Sequence, residues 1–257
     1  MTKVCYEEML PYEIVEARVK CPIAYLPIGG LEWHGEHLPV GNDTLKAHAL
    51  AVRCAEEGGG LAMPPLFFGE NRSARLLEVD HDDDGQAAAK MGLPKENFDP
   101  ARMPVSTYEQ DKAYIDLLVH ILYELESLGF KAMMILAGHY PLLAHARAAV
   151  WIYSLAAKAR ASAASGYELV RDVIPDAGDH AAKWETSLLM ALRPELVDMS
   201  RLPQDTSTPL IGVVGADPRT NASPEYGRKG VDEVVKRVVA KAHSLLPKEF
   251  RSAVAGG

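Results

Sequence analysis

IAYLPIGGLEWHGEHLPVGNDT, residues Ile23 to Thr44, is the stretch from which both the fold and the chemistry are read. It starts as a short apolar run, Ile23 to Ile28, between Pro22 and the pair Gly29-Gly30. That is the pattern of a buried strand ending in a turn. Directly after the turn stand Glu32, His34, His37 and Asp43, all side chains able to bind metal. Glu32 and His34 are two residues apart, so in extended chain they project to the same side. Carboxylate and imidazole together suit Zn²⁺, Mn²⁺ or Fe²⁺, whereas Ca²⁺ takes oxygen donors alone.

The rest of the chain is ordinary enough to give those residues a globular setting. Of 257 residues, 48% are hydrophobic and 24% charged, which allows a sizeable core. A net charge of -8 with no basic cluster argues against a nucleic-acid partner. Cys5, Cys21 and Cys54 are few, odd in number and scattered, which reads as free thiols in a reducing compartment. The start, MTKVCYEEML, has no basic segment followed by an apolar core, and no apolar run is long enough to span a bilayer. The expectation is a cytoplasmic protein without a membrane partner.

Outward from the opening stretch, a short helical pattern around Tyr6 to Val15 precedes the strand. A helix over Thr44–Glu57 follows it, with Leu45, Ala49, Val52 and Cys54 spaced for burial and a stop at Gly58-Gly59-Gly60. Asp43 at its start can be read as an N-cap as well as a ligand. Leu61 to Phe68 reads as a second strand, at an edge because of Pro64 and Pro65. Residues 70–106 form a long segment of mixed charge without periodicity, the mark of a functional loop or lid. Within it, Asp80-His81-Asp82-Asp83-Asp84-Gly85 imitates the start of a calcium loop, but position twelve is Met91 rather than Glu, so it is a solvated acidic turn.

Thr107 to Leu128 is the strongest helix, with a Thr107/Gln110 capping box and one apolar stripe through Tyr114, Leu117, Leu118, Ile121, Leu122 and Leu125. His120 lies beside that stripe as a packed or surface residue. Lys131–Ala137 then reads as a strand ending in Gly138-His139, Leu142–Arg160 as a helix, and Tyr167–Ile174 as a third strand leading to Asp179 and His180. Glu185-Thr186-Ser187 opens a further helix, and Val231–Leu246 closes the chain. No repeat or linker divides it, so residues 1–257 read as one α/β domain with an insertion at 70–106. The site rule for parallel sheets places loops after the strands together, gathering Glu32, His34 and Asp43 with His139 and His180. A dinucleotide-binding fold is disfavoured, because Gly29-Gly30 leads into acids and histidines rather than a helix N-terminus.

The run Glu32-Trp33-His34-Gly35-Glu36-His37-Leu38-Pro39, with Asp43 after it, resembles the signature of the creatininase family of metal-dependent amidohydrolases. Gly138-His139 resembles the family's Gly-His motif, and His180-Ala181-Ala182-Lys183-Trp184-Glu185-Thr186-Ser187 its His-Ala-Gly-x-x-Glu-Thr-Ser block. Ala216-Asp217-Pro218 resembles a late Gly-Asp-Pro segment. The resemblance implies a three-layer α/β/α sandwich with a mostly parallel central sheet. It further implies a binuclear site of two divalent ions, Zn, Mn or Fe, and a homo-oligomer, with a hexamer as one arrangement. Carried over, Glu32, Asp43 and His139 hold one metal, and His34, Asp43 and Glu185 the other, with a hydroxide between them. His180 is then the catalytic proton shuttle, assisted by Glu185, and His37 orients a ligand without binding metal. Tyr140, Asp179 and Trp184 are the expected substrate contacts.

The chain departs from creatininase proper where Pro141 stands in place of a Glu, Gly178-Asp179 in place of a Trp-containing loop, and Ala182 in place of Gly. These changes keep the ligand set and point away from creatinine itself. The implied function is hydrolysis of a linear or cyclic amide C–N bond in a small polar molecule. The rival is a catalytically inert metal- or small-molecule-binding protein on the same scaffold.

Overall fold

The computed structural model describes residues 3–69, 79, 81 and 84–250. Its helices and strands are, in chain order, α1 (Pro11–Lys20), β1 (Ile23–Ile28), α2 (Asn42–Gly58), β2 (Leu61–Ala62), α3 (Gln86–Lys90), α4 (Thr107–Ser127), β3 (Ala132–Ala137), α5 (Leu142–Ser154), β4 (Arg160–Ser165), α6 (Gly166–Val170), α7 (Lys183–Leu192), α8 (Pro218–Asn221) and α9 (Pro224–Leu245).

The strands pair in parallel in the order β2-β1-β3-β4. Every residue of β1 and β3 is buried, as continuous apolar strands covered on both faces must be. Alternate side chains sort to opposite layers. Ile23 and Tyr25, with Met134 and Leu136, pack toward α2, α7 and α9. Ala24, Leu26 and Ile28, with Met133 and Ile135, pack toward α4 and α5. This is the expected α/β/α sandwich.

Several expected elements are shifted. Leu61–Phe68 pairs as a strand only over Leu61–Ala62, with one further bridge from Ile28 to Leu66, because Pro64 and Pro65 have no N–H to donate. The helix over Leu142–Arg160 stops at Ser154, and Arg160–Ser165 is instead β4, in register with β3 from Ala132 to Ala137. Its sequence, RASAAS, has no β-branched or aromatic residue, so pairing with β3 overrides local preference. The third expected strand, Tyr167–Ile174, begins in α6, and Val170 and Ile174 plug the α2/α9 layer.

Cap residues move too. Ser106 with Glu109 forms the capping box of α4, not Thr107 with Gln110. Asp43 sits in the first turn of α2 behind Gly41 and caps nothing. The buried face of α2 is Ala47, Leu50, Ala51, Cys54 and Ala55, while Leu45, Ala49 and Val52 are half-buried. The final helix begins seven residues early, at Pro224, under a Ser223 cap. His120 is exposed on α4. Within 70–106 the described part contains α3, whose Ala87 and Ala88 pack with Val79 against Trp33 of the opening stretch. Of the calcium-like run, Asp80, Asp82 and Asp83 lie outside the described residues.

Two glycines fix how strands meet helix at the site. A Cβ on Gly29 would lie 2.5 Å from Thr44 Oγ1, and one on Gly138 would lie 2.0 Å from the Asp43 carbonyl oxygen. The ends of β1 and β3 therefore press directly on the first turn of α2. Gly138→Ala is expected to destabilise the protein by about 1–3 kcal/mol or more, since backbone must move to admit the methyl. Thermal unfolding checks this; an unchanged midpoint would show that the close approach is dispensable.

Candidate metal centre

The donors come from the ends of β1 and β3, the first turn of α2 and the start of α7. The loop after β1 closes on itself through Glu32 N–H to Val40 C=O (2.8 Å). The Trp33 indole donates to Ile211 C=O (2.9 Å). Assigned from its partners, His34 donates through Nδ1 to Glu32 C=O (3.1 Å), which leaves the Nε2 lone pair facing inward.

Around Asp43 the distances run in a chain. His34 Nε2 is 3.1 Å from Asp43 Oδ1 and 3.3 Å from Glu185 Oε2. His139 Nδ1 is 3.1 Å from Asp43 Oδ2 and 3.0 Å from Glu32 Oε2. Donors about 2.0–2.2 Å from a common ion stand about 3.0–3.6 Å apart, so these spacings fit metal ligation. Glu32 Oε1 is buried without a hydrogen-bond partner, and Glu32 Oε2 and His34 Nε2 face other ligand-type groups of the cluster, His139 and the Asp43 and Glu185 carboxylates. Buried polar atoms without partners are rare and need an explanation, and a cation supplies one. Glu32, His34 and Asp43 also bring ligand atoms within 4.8 Å of one another.

The electrostatics show where positive charge is lacking. Burial pushes Glu32 up to about 7, only partly offset by the His139 hydrogen bond. Burial also works against ionised Glu185, but the Lys46 ammonium outweighs it and holds the carboxyl down to about 2. Asp43 lies well below the usual range, because His34 and Lys46 outweigh its burial. Burial disfavours protonated His139 too, but the hydrogen bonds to Asp43 and Glu32 push it up to about 10. The cluster attracts positive charge, and Glu32 is its least compensated carboxylate.

Lys46 was not anticipated. It lies one turn after Asp43 on the same side of α2, is only 5% exposed, hydrogen-bonds Glu185 Oε1 and stands 3.5 Å from Asp43 Oδ1. The signal for it was its i+3 spacing from a candidate ligand at the start of a helix. His81, from the acidic segment, was also missed as a site residue. Its ring lies 4.3 Å from that of His180, and its φ of 61° is unusual for a side-chain-bearing residue.

His180 does not follow a strand. It is held by an antiparallel bridge to Val214, with N–H···O distances of 2.9 and 2.8 Å. Its Nε2 donates to Trp33 C=O (2.9 Å), leaving Nδ1 3.7 Å from Glu32 Oε1. Burial, then the His34 charge, pushes it down to about 4, so it is neutral near pH 7. Glu185 is buried in the centre as expected, and Ala181, at φ 54°, donates its N–H to Glu185 Oε2 (2.9 Å). Lys183 pairs with Asp176 instead of Glu185.

His37 lies off the donors. Its Nε2 donates to Thr186 Oγ1 (2.9 Å), which donates to Ala181 C=O (3.2 Å), tying the ligand loop to α7 beside Glu185. Asp179 accepts the N–H groups of Trp184 (2.6 Å) and Glu185 (3.2 Å), so its carboxylate is committed to the start of α7. Trp184 is a wall, packed against α9 at Gly230. Tyr140 is half exposed and donates its O–H to Glu168 (3.1 Å). Tyr140, Asp179 and Trp184 line a cavity of about 310 Å³ together with Glu32, Asp43, Glu185, His139 and His180.

The family described as "Creatininase: Creatinine amidohydrolase" matches residues 7–242. The creatinine amidohydrolase of Pseudomonas putida is 25% identical over 246 residues, covering 87% of this chain and 86% of that protein. The 3-dehydro-scyllo-inosose hydrolase of Thermotoga maritima is 25% identical over 138 residues, covering 54% of this chain and 36% of that protein. Among solved structures, a manganese creatininase superposes with a TM-score of 0.70 at 22% identity, covering 95% of this chain and 99% of that one. A creatininase mutant of Zn-Zn type gives 0.68 at 22%, covering 96% and 100%. These structural likenesses carry the fold.

Two outcomes are expected. A divalent ion such as Mn²⁺ at 100 times its Kd should raise stability by about 2.7 kcal/mol, and Glu32→Gln should remove most of that gain in a thermal-shift titration. A full shift in Glu32→Gln would place the ion elsewhere. Second, burial, with the His34 charge, holds His37 down to about 4, so the unfolded chain binds the extra proton between about pH 6.5 and 4. Stability is therefore lost as pH falls through that window, by at most about 1.4 kcal/mol per unit from this residue. The acid limb of denaturant midpoints should flatten in His37→Gln.

Proposed function

The chain belongs to the creatininase family of metal-dependent amidohydrolases, and from that premise we propose how its own residues divide the hydrolysis of an amide C–N bond in a small polar molecule. The observation that carries the reading is the convergence of Glu32, Asp43, His139 and Glu185 on the lining of one cavity, with His34 Nε2 within 3.1 and 3.3 Å of Asp43 and Glu185. Glu32, Asp43 and His139 would hold one divalent ion, Zn, Mn or Fe. His34, Asp43 and Glu185 are the donors for the expected second. A bound ion supplies Lewis acidity to the amide carbonyl and acidity to a water.

His180 supplies the proton transfers. Anchored through Nε2 to Trp33 C=O, it presents a neutral Nδ1 that can take a proton and return it to the leaving nitrogen. The His81 ring lies 4.3 Å from the His180 ring at a tilt of 45°, which supports reading the 70–106 segment as a lid over this step. A 310 Å³ cavity suits a small substrate, a cyclic urea or amidine, a formamide or a short peptide. Tyr140 at the rim contacts it, while Asp179 and Trp184 shape the wall.

The same reading takes residues 1–257 as one domain. Phe68, Val19, Trp151 and Leu155 are 84%, 72%, 66% and 69% exposed, which supports a homo-oligomer, a hexamer being one arrangement. The free Cys5, Cys21 and Cys54 support a reducing compartment such as the cytoplasm. Among the described residues no helix is long and apolar enough to cross a membrane.

The test is turnover by metal-loaded protein on an amide panel that includes the substrates in the two relatives' names. His180→Asn should lower kcat by about 10²–10⁴-fold with metal content unchanged. Loss of the metal in that variant would make His180 a ligand instead. Metal binding with no turnover on any substrate would favour the inert-binder reading.

A further inference from the structure

The second donor set already has a cation. Lys46 hydrogen-bonds Glu185 Oε1 and lies 3.5 Å from Asp43 Oδ1, so its ammonium is held by the two carboxylates a second metal would need. The other oxygen, Glu185 Oε2, accepts the Ala181 N–H at 2.9 Å. Neither Glu185 oxygen lacks a partner. The carboxylate without an ammonium is Glu32, which meets His139 on the Oδ2 side of Asp43, whereas Lys46 meets Oδ1. Two residues past His139, Pro141 lines the cavity and offers no donor there.

We propose that Lys46 stands in for a second metal, so that the centre holds a single divalent ion on Glu32, Asp43 and His139 beside a fixed ammonium. His34 then completes the same ion's ligands. Its Nε2 is 3.1 Å from Asp43 Oδ1 and 4.0 Å from Glu32 Oε2, and Glu32, His34 and Asp43 bring ligand atoms close enough to share one ion. The inference rests on the reading that these donors hold metal at all.

Occupancy of the carboxylates, rather than a count of charges, separates one ion from two. Glu32, Asp43 and Glu185 carry three negative charges, and Asp179, whose charge also acts on Lys46, is a fourth. Lys46, Asp43 and Glu185 are each almost fully buried, so a second divalent ion could reach Asp43 and Glu185 only beside or in place of an ammonium already bound to both. Crowding two cations into a buried site is strongly unfavourable. Lys46 also differs functionally from a metal: its protonated ammonium donates hydrogen bonds but cannot bind water as a Lewis acid, so chemistry at this centre depends on one ion.

The experiment loads the full-length protein with excess Mn²⁺, removes free metal by gel filtration, and measures metal per chain together with the low-temperature Mn²⁺ paramagnetic resonance spectrum. The expected result is about one equivalent and the hyperfine pattern of isolated ions. Lys46→Met, which keeps length and removes charge, should rise to about two equivalents and show the broadening of adjacent coupled ions. Lys46→Arg should stay at about one. Two equivalents or a coupled spectrum in the unmodified protein overturns the proposal, as does Lys46→Met remaining at one. If Lys46→Met does not fold, the unmodified protein's spectrum decides alone. No bound metal in the unmodified protein would instead sink the metal reading beneath it, an outcome distinct from finding two.

Discussion

Three carboxylates are buried within hydrogen-bonding distance of shared histidines, and the rest of the structure answers that constraint. Asp43 and Glu185 sit in the first turns of α2 and α7, where the helix ends favour negative charge. Lys46 adds a formal charge beside both. Glu32 has no helix end and no ammonium, and burial, with the Asp43 charge, pushes its carboxyl up. Its side of the cluster is the one least supplied with positive charge. The ends of β1 and β3 approach α2 so closely that Gly29 and Gly138 cannot carry side chains.

Much of this was legible before any coordinates. β1 is bounded by Pro22 and Gly29-Gly30, and its apolar run survives intact because it is buried on both faces. Glu32, His34, Asp43 and His139 could be placed because strand ends in a parallel sheet converge by topology, which needs no side-chain detail. β4 was not legible. Arg160–Ser165 carries only small and polar residues, and it is a strand because β3 offers it a partner. That error also displaced His180, which was expected at a strand end and is instead held by backbone pairing to Val214, far away in sequence. Lys46 was invisible for a related reason: a lysine in a helix is ordinarily solvent-exposed, and only the tertiary placement of Glu185 makes this one an internal ion pair.

The site therefore has two halves with different physical origins. The sheet half, Glu32, Asp43 and His139, is fixed by backbone close approach and core packing, and rotamer freedom there is small. The α7 half, His180 and Glu185, is fixed by polar links: His37 to Thr186, Asp179 to the first N–H groups of α7, and Ala181 N–H to Glu185. Ala181 holds a left-handed backbone to make its contact, and such strain persists only where the surroundings over-determine it. The surroundings here are α9, whose Gly227 would place a Cβ 1.8 Å from the Ser187 carbonyl, so α7 and α9 touch backbone to backbone. An element locked that tightly can carry a strained loop. His180 and Glu185 therefore stand on either side of a locked helix start, His180 held by its bridge to Val214 and Glu185 in the first turn of α7, while His81 and Tyr140 line the same cavity.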